Sequence, residues 1–139
     1  MMSPVQSCTR VIEFDDAHRI TRHGSKCAHL HGHRYRVEIT CAAALNALGM
    51  VVDFGDVKQL VGTWVDEWWD HGAILNSSDL LYIDAVRRGG HKLFVMDVEP
   101  TSENIASKLL EVAQGLLPAL TVERVRVWET PNCYADATP

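Results

Sequence analysis

Residues 34–43 alternate without a break: Tyr35, Val37, Ile39 and Cys41 fall on one side, Arg34, Arg36, Glu38 and Thr40 on the other. A repeat of two residues is the mark of a β-strand with one face buried and one face wet. The chain must therefore build a sheet and cover one side of it. Residues 7–14 (S-C-T-R-V-I-E-F) are rich in strand formers and supply a neighbouring strand. Between Phe54 and Trp69 the apolar positions Val57, Leu60, Val61, Trp64, Val65 and Trp68 recur at spacings of three and four, which predicts a helix. A second helix is expected from about Ser102 to Leu117, with Thr101 or Ser102 as its N-cap and Pro118 ending it. Residues 77–91 read as a surface excursion, followed by a short extended run, Leu93–Met96. Val122 to Thr130 alternates again with Val125 and Val127 inward, and a tail around Cys133 and Tyr134 is placed beside it. Two strands, two helices and two strands in a chain of 139 residues give an α+β fold in a single domain, 1–139.

Composition narrows the function. The chain is 47% hydrophobic and 22% charged, values that exclude low-complexity or disordered classes. A net charge of -5 argues against a nucleic-acid partner, which calls for a basic stripe. No apolar run approaches the roughly 20 residues that span a bilayer, and the first ten residues lack a signal-peptide core, so no membrane association and a cytoplasmic location are expected. None of the four cysteines forms a C-x-x-C pair, and Cys8, Cys41 and Cys133 read as inert thiols in or beside strands. The charge is unevenly spread. His18, His23, His29, His31 and His33, five of the seven histidines, crowd into one early stretch together with Arg19, Arg22, Lys26 and Arg34.

The chemistry concentrates in C-A-H-L-H-G-H, Cys27 to His33. His31 and His33 are two apart, so both imidazoles point the same way from an extended chain, a spacing that suits two ligands of one zinc ion. His18 ends the first strand, which a hairpin pairing brings alongside them. Three neutral imidazoles leave a fourth position open, as catalytic zinc requires; the alternative is a merely polar strand edge. Cys27 is either a fourth ligand or a thiolate base beside the metal. Asp70-His71 is either an acid–base pair or a histidine that favours a helix C-terminus. Glu129 is either solvated or the acceptor for a flat amidine-like edge such as that of a pterin or guanine.

Taken in order, F-D-D-A-H-R-I (14–20), C-A-H-L-H-G-H (27–33), R-Y-R-V-E-I (34–39), G-M-V-V-D-F-G-D-V-K (49–58), D-H-G-A-I-L-N (70–76), P-T-S-E-N (100–104) and V-W-E-T (127–130) resemble the 6-pyruvoyl-tetrahydropterin synthase family, and within it the 6-carboxy-forming branch. The resemblance covers nearly the whole chain. It implies the tunnelling fold, a four-stranded antiparallel sheet with two helices between strands 2 and 3. It implies Zn2+ held by His18, His31 and His33, with Cys27 as the base and Asp70 and His71 as its acid–base partner. Glu129 would anchor the pterin, with help from Thr101, Ser102 and Glu103. The implied reaction converts 7,8-dihydroneopterin triphosphate to 6-carboxytetrahydropterin, acetaldehyde and triphosphate, in queuosine and 7-deazapurine biosynthesis. Alternatives are the 6-pyruvoyl-forming reaction, which keeps the side chain, and a zinc- or pterin-binding module without catalysis. Arg19, Arg22, Lys26 and Arg34 are candidates for the triphosphate by position. The implied assembly is a homohexamer, a dimer of trimers, with active sites between subunits.

Overall fold

A computed structural model describes residues 5–139. Strand β1 (Val5–His18) pairs along its whole length with β2 (His31–Ala44), antiparallel, in a register that sets His18 opposite His31, Asp16 opposite His33 and Phe14 opposite Tyr35. Directly opposed residues share a face, so alternation carries the covered face from the aliphatic core straight into the histidines. The connection between the two strands holds one short 3₁₀ turn, Lys26–Ala28.

After β2 the chain enters a helix that runs as α1 (Phe54–Val57), a π-helical stretch (Lys58–Gly62) and α2 (Thr63–Trp68). Asp53 caps it by accepting from the Gly55 amide at 2.7 Å. The π stretch changes which residues are buried. Steps of four residues drift by about 40° each in a regular α-helix, and the wider π turn takes up that drift. Val57, Val61, Val65 and Trp69 therefore share the core face, whereas Leu60 and Trp68, on the expected stripe, are exposed.

Strands β3 (Gly72–Asn76) and β4 (Leu93–Met96) follow, separated by α3 (Leu80–Arg88). The N-cap of α4 (Ser102–Leu116) is Thr101, whose hydroxyl accepts from the Asn104 amide at 3.2 Å. Strands β5 (Thr121–Thr130) and β6 (Cys133–Ala137) complete the chain. The sheet order is β4-β3-β1-β2-β5-β6. The expected four-stranded antiparallel sheet is thus corrected to a six-stranded mixed one: β1, β2, β5 and β6 pair antiparallel, and β3 and β4 add in parallel on the β1 side. Both expected helices lie between β2 and β5, the expected third strand, and α3 is an addition between β3 and β4. Strand β3 escapes a period-2 reading because Ala73, Ile74 and Leu75 are buried in succession, whereas β4 coincides with the expected extended run Leu93–Met96. Helix α3 escapes because it buries only Ile83 and exposes Leu80 and Leu81.

The core lies between the sheet and the helices α1, α2 and α4. Phe14, Tyr35 and Trp69 have no exposed surface, and Phe14 stacks on Tyr35 with ring centres 5.1 Å apart. No helix among the described residues is long and apolar enough to cross a membrane.

Candidate active site and metal centre

His18, His31 and His33 converge where β1 ends and β2 begins. The burial of His18 is nearly complete, at 2% exposure. Its Nδ1 donates to the Pro100 carbonyl at 2.8 Å, and His31 Nδ1 donates to the His29 carbonyl at 2.6 Å. Each carbonyl fixes the proton on Nδ1 and leaves a lone pair on Nε2, the arrangement by which outer groups orient metal-binding histidines. The two Nε2 atoms lie 3.1 Å apart. Two lone pairs at that separation repel unless a cation sits between them, and tetrahedral zinc ligands stand roughly 3.3 Å from one another. Burial lowers the pKa of His18 and of His33, favouring the neutral form a metal needs.

Glu129, near the end of β5, completes the cluster. Its Oε1 lies 3.2 Å from His33 Nε2, but not along a hydrogen-bonding direction, so that buried nitrogen has no hydrogen-bond partner. Its Oε2 accepts from Ser102 Oγ at 2.6 Å. Ligand atoms of His18, His31, His33 and Glu129 all fall within 4.8 Å of one another. The three neutral imidazoles fit a zinc ion and leave its fourth position open beside the Glu129 carboxylate. Cys27 is outside this group, which favours its reading as a neighbour of the metal over that of a ligand.

The cluster opens into a cleft of about 420 Å³ that His18, Cys27, Thr101, Ser102, Glu103 and Glu129 line together. A larger groove of about 580 Å³, between β1 and α1–α2, contains neither histidine nor cysteine. Cys27 reaches the cleft because the Ile20 amide donates to its carbonyl at 2.7 Å, folding the loop back on itself. Glu99 accepts from both the backbone amide and the hydroxyl of Thr21, and Arg19 pairs with Asp79 at 3.5 Å, so the loop after His18 is held at two more points. Arg19 is thereby occupied by a carboxylate, and Arg34 is engaged by Asp15 at 2.8 Å.

Three further residues, His23, Cys133 and Tyr134, also line the cleft. His23 belongs to the histidine-rich loop, whose folding back is not visible in local pattern. Cys133 and Tyr134 arrive through the β5–β6 hairpin, and only that pairing shows their side. His29, the extra histidine of the motif, is exposed and contributes its carbonyl rather than its ring.

Asp70 and His71 do not line this cleft. His71 borders a shallow depression with Asp15, Asp16, Ala17, Gly32, His33 and Arg34. The pair itself is well built. Asp70 Oδ1 accepts from the Asp15 amide at 2.9 Å and Oδ2 from His71 Nδ1 at 2.8 Å. Partial burial pushes the Asp70 carboxyl up, but the Asp15 amide, His71 and Lys92 outweigh it and hold its pKa below the ordinary value. His71 is 76% exposed and adopts φ of 61°, a left-handed conformation uncommon outside glycine. The Asp15 carbonyl secures that turn by accepting from the His71 amide at 2.7 Å.

The sequence profile of the 6-pyruvoyl tetrahydropterin synthase family matches residues 7–139. A protein of Rickettsia bellii named 6-carboxy-5,6,7,8-tetrahydropterin synthase is 44% identical over 137 residues, covering 93% of this chain and 97% of that one. Among solved structures, an uncharacterized protein of Wolinella succinogenes superposes with a TM-score of 0.83 at 23% identity, covering 98% of this chain and 99% of that chain. The 6-pyruvoyl tetrahydropterin synthase of Caenorhabditis elegans superposes with a TM-score of 0.74 at 21% identity, covering 100% and 99%. The chain belongs to the 6-pyruvoyl tetrahydropterin synthase family.

Proposed function

We propose that the protein is a zinc-dependent 6-carboxy-5,6,7,8-tetrahydropterin synthase, a lyase that converts 7,8-dihydroneopterin triphosphate to 6-carboxytetrahydropterin, acetaldehyde and triphosphate, in the route to queuosine and other 7-deazapurines. The observation that carries the reading is the clustering of His18, His31, His33 and Glu129, with Cys27 lining the cleft that His18 and Glu129 border. The name of the Rickettsia bellii relative supports the carboxy-forming branch.

When bound, zinc supplies Lewis acidity, lowering the pKa of a coordinated hydroxyl and polarising a developing carbonyl. The chain supplies the rest. Glu129, held by Ser102, accepts from the 2-amino and ring N–H groups of the pterin, and this fixes the ring in the cleft. Glu103, in the first turn of α4, and Thr101 border the same place. The Cys27 thiolate takes protons from the side chain of the substrate. Asp70 holds His71 in one tautomer and stabilises its protonated form, so that His71 serves as the acid.

Within one chain His71 stands apart from Cys27. The reading therefore needs a second copy to bring its Asp70 and His71 to the cleft of the first, and a homohexamer of two trimers with sites between subunits meets that need. The test is metal dependence. Enzyme stripped by a chelator should lose turnover of 7,8-dihydroneopterin triphosphate and recover it on addition of zinc. Full turnover by the stripped enzyme would overturn the proposal.

A further inference from the structure

Away from the cleft, Cys8 of β1 lies directly opposite Cys41 of β2. Opposed residues of an antiparallel pair point to the same face with Cα atoms roughly 4.5–5.5 Å apart, inside the ~4.4–6.8 Å window in which a disulfide closes. At the adjoining rung the side chains do meet, since the hydroxyl oxygens of Thr9 and Thr40 are 2.8 Å apart. Both cysteines are free thiols, Cys8 half-buried and Cys41 buried. Burial pushes Cys41 up to about 11, and the nearby Cys8 sulfur adds to the shift. Burial raises Cys8 as well. Both therefore rest as protonated thiols at neutral pH, and mild thiol–disulfide exchange is slow at either.

We propose that Cys8 and Cys41 are a redox pair, which hydrogen peroxide or an organic hydroperoxide converts into a cross-strand disulfide joining β1 to β2. Cys8, the sulfur with access to solvent, attacks one peroxide oxygen. An S–O bond forms, the O–O bond breaks, and the second oxygen takes the Cys8 proton and leaves as water, or as an alcohol from an organic peroxide. Cys41 then attacks the Cys8 sulfenic acid. The S–S bond forms, the S–O bond breaks, and the departing hydroxide takes the Cys41 proton as water. The two thiols lose two electrons and two protons, and the peroxide is reduced by two electrons. The covalent loop so closed contains His18, Cys27, His31 and His33, so the bond fixes the register of the two strands that carry the histidines. Partial exposure of Cys8 leaves the bond open to reduction by small thiols, and the step is reversible.

The experiment treats the full, zinc-loaded chain with hydrogen peroxide at doses that oxidise the exposed Cys133. The protein is then unfolded in N-ethylmaleimide, digested and analysed by mass spectrometry without reductant. The expected result is a peptide pair joining Cys8 to Cys41, two hydrogens lighter than its reduced parts and released by dithiothreitol. The Cys8→Ser variant should lose that species and leave Cys41 fully labelled. Maleimide labelling of both Cys8 and Cys41 after such treatment, or recovery of Cys8 as a sulfinic acid or joined to Cys27 or Cys133, would overturn the proposal.

Discussion

Ser102 Oγ donates to Glu129 Oε2 at 2.6 Å, and the same carboxylate presents its other oxygen 3.2 Å from His33 Nε2. One hydroxyl at the start of α4 thus aims a carboxylate of β5 at the histidine cluster. Ser102→Ala leaves Glu129 with a free rotor. A hydrogen bond to a charged group contributes about 1.5–3 kcal/mol, so KM for the pterin substrate should rise roughly 10- to 100-fold while bound zinc is unchanged. Steady-state kinetics with metal analysis on the same sample check this.

Gly32 separates His31 from His33, and a Cβ there would stand 2.9 Å from the backbone carbonyl oxygen of Asp16 on the neighbouring strand. No side-chain rotation relieves that contact. Gly32→Ala should push β2 away from β1 at the metal site and weaken zinc binding roughly 10- to 100-fold, comparable to the loss of an outer-sphere partner. Competition with a chromophoric chelator measures it.

Cys27 lines the cleft without belonging to the ligand cluster. Cys27→Ala should keep one equivalent of zinc and lose turnover by at least about 100-fold, the scale of a general base. His31→Ala and His33→Ala should lose the metal itself. Loss of zinc from Cys27→Ala would make this thiol a ligand.

The depressed Asp70 pKa has a consequence for stability. A carboxyl whose folded pKa lies below its unfolded value stabilises the fold above the unfolded pKa, about 3.9, and that stabilisation disappears as pH falls through the folded pKa. Asp70→Asn removes the charge that accepts from Asp15 and His71. It should cost about 1–2 kcal/mol at pH 7, and the difference from the parent should shrink steadily below about pH 4. Urea denaturation at a series of pH values gives the comparison.

Much of the site was legible in sequence because its parts obey the period of a strand. His31 and His33 are two apart, and the pairing of the first two strands does bring His18 opposite His31. Of the two expected caps, Thr101 and Ser102, Thr101 is the one that caps its helix. What stayed hidden depends on tertiary neighbours. Nothing near Glu129 reveals that Ser102 turns it toward His33. Nothing near Asp70-His71 reveals that the pair sits apart from Cys27. Trp69 replaces Trp68 in the core because of a π turn that residue spacing does not announce. Strand β3 lacks alternation because its burial is two-sided. Cys8 and Cys41 lie in strands recognised from composition and alternation, but their opposition depends on register, which single-strand patterns leave open.

The reaction itself is the most direct test. Zinc-loaded protein incubated with 7,8-dihydroneopterin triphosphate, with products identified by mass spectrometry, should yield 6-carboxytetrahydropterin, acetaldehyde and triphosphate. A 6-pyruvoyl product that keeps the side chain would contradict the assignment to the carboxy-forming branch. Intact substrate after prolonged incubation would contradict the assignment of Cys27, His71 and the histidine cluster to catalysis.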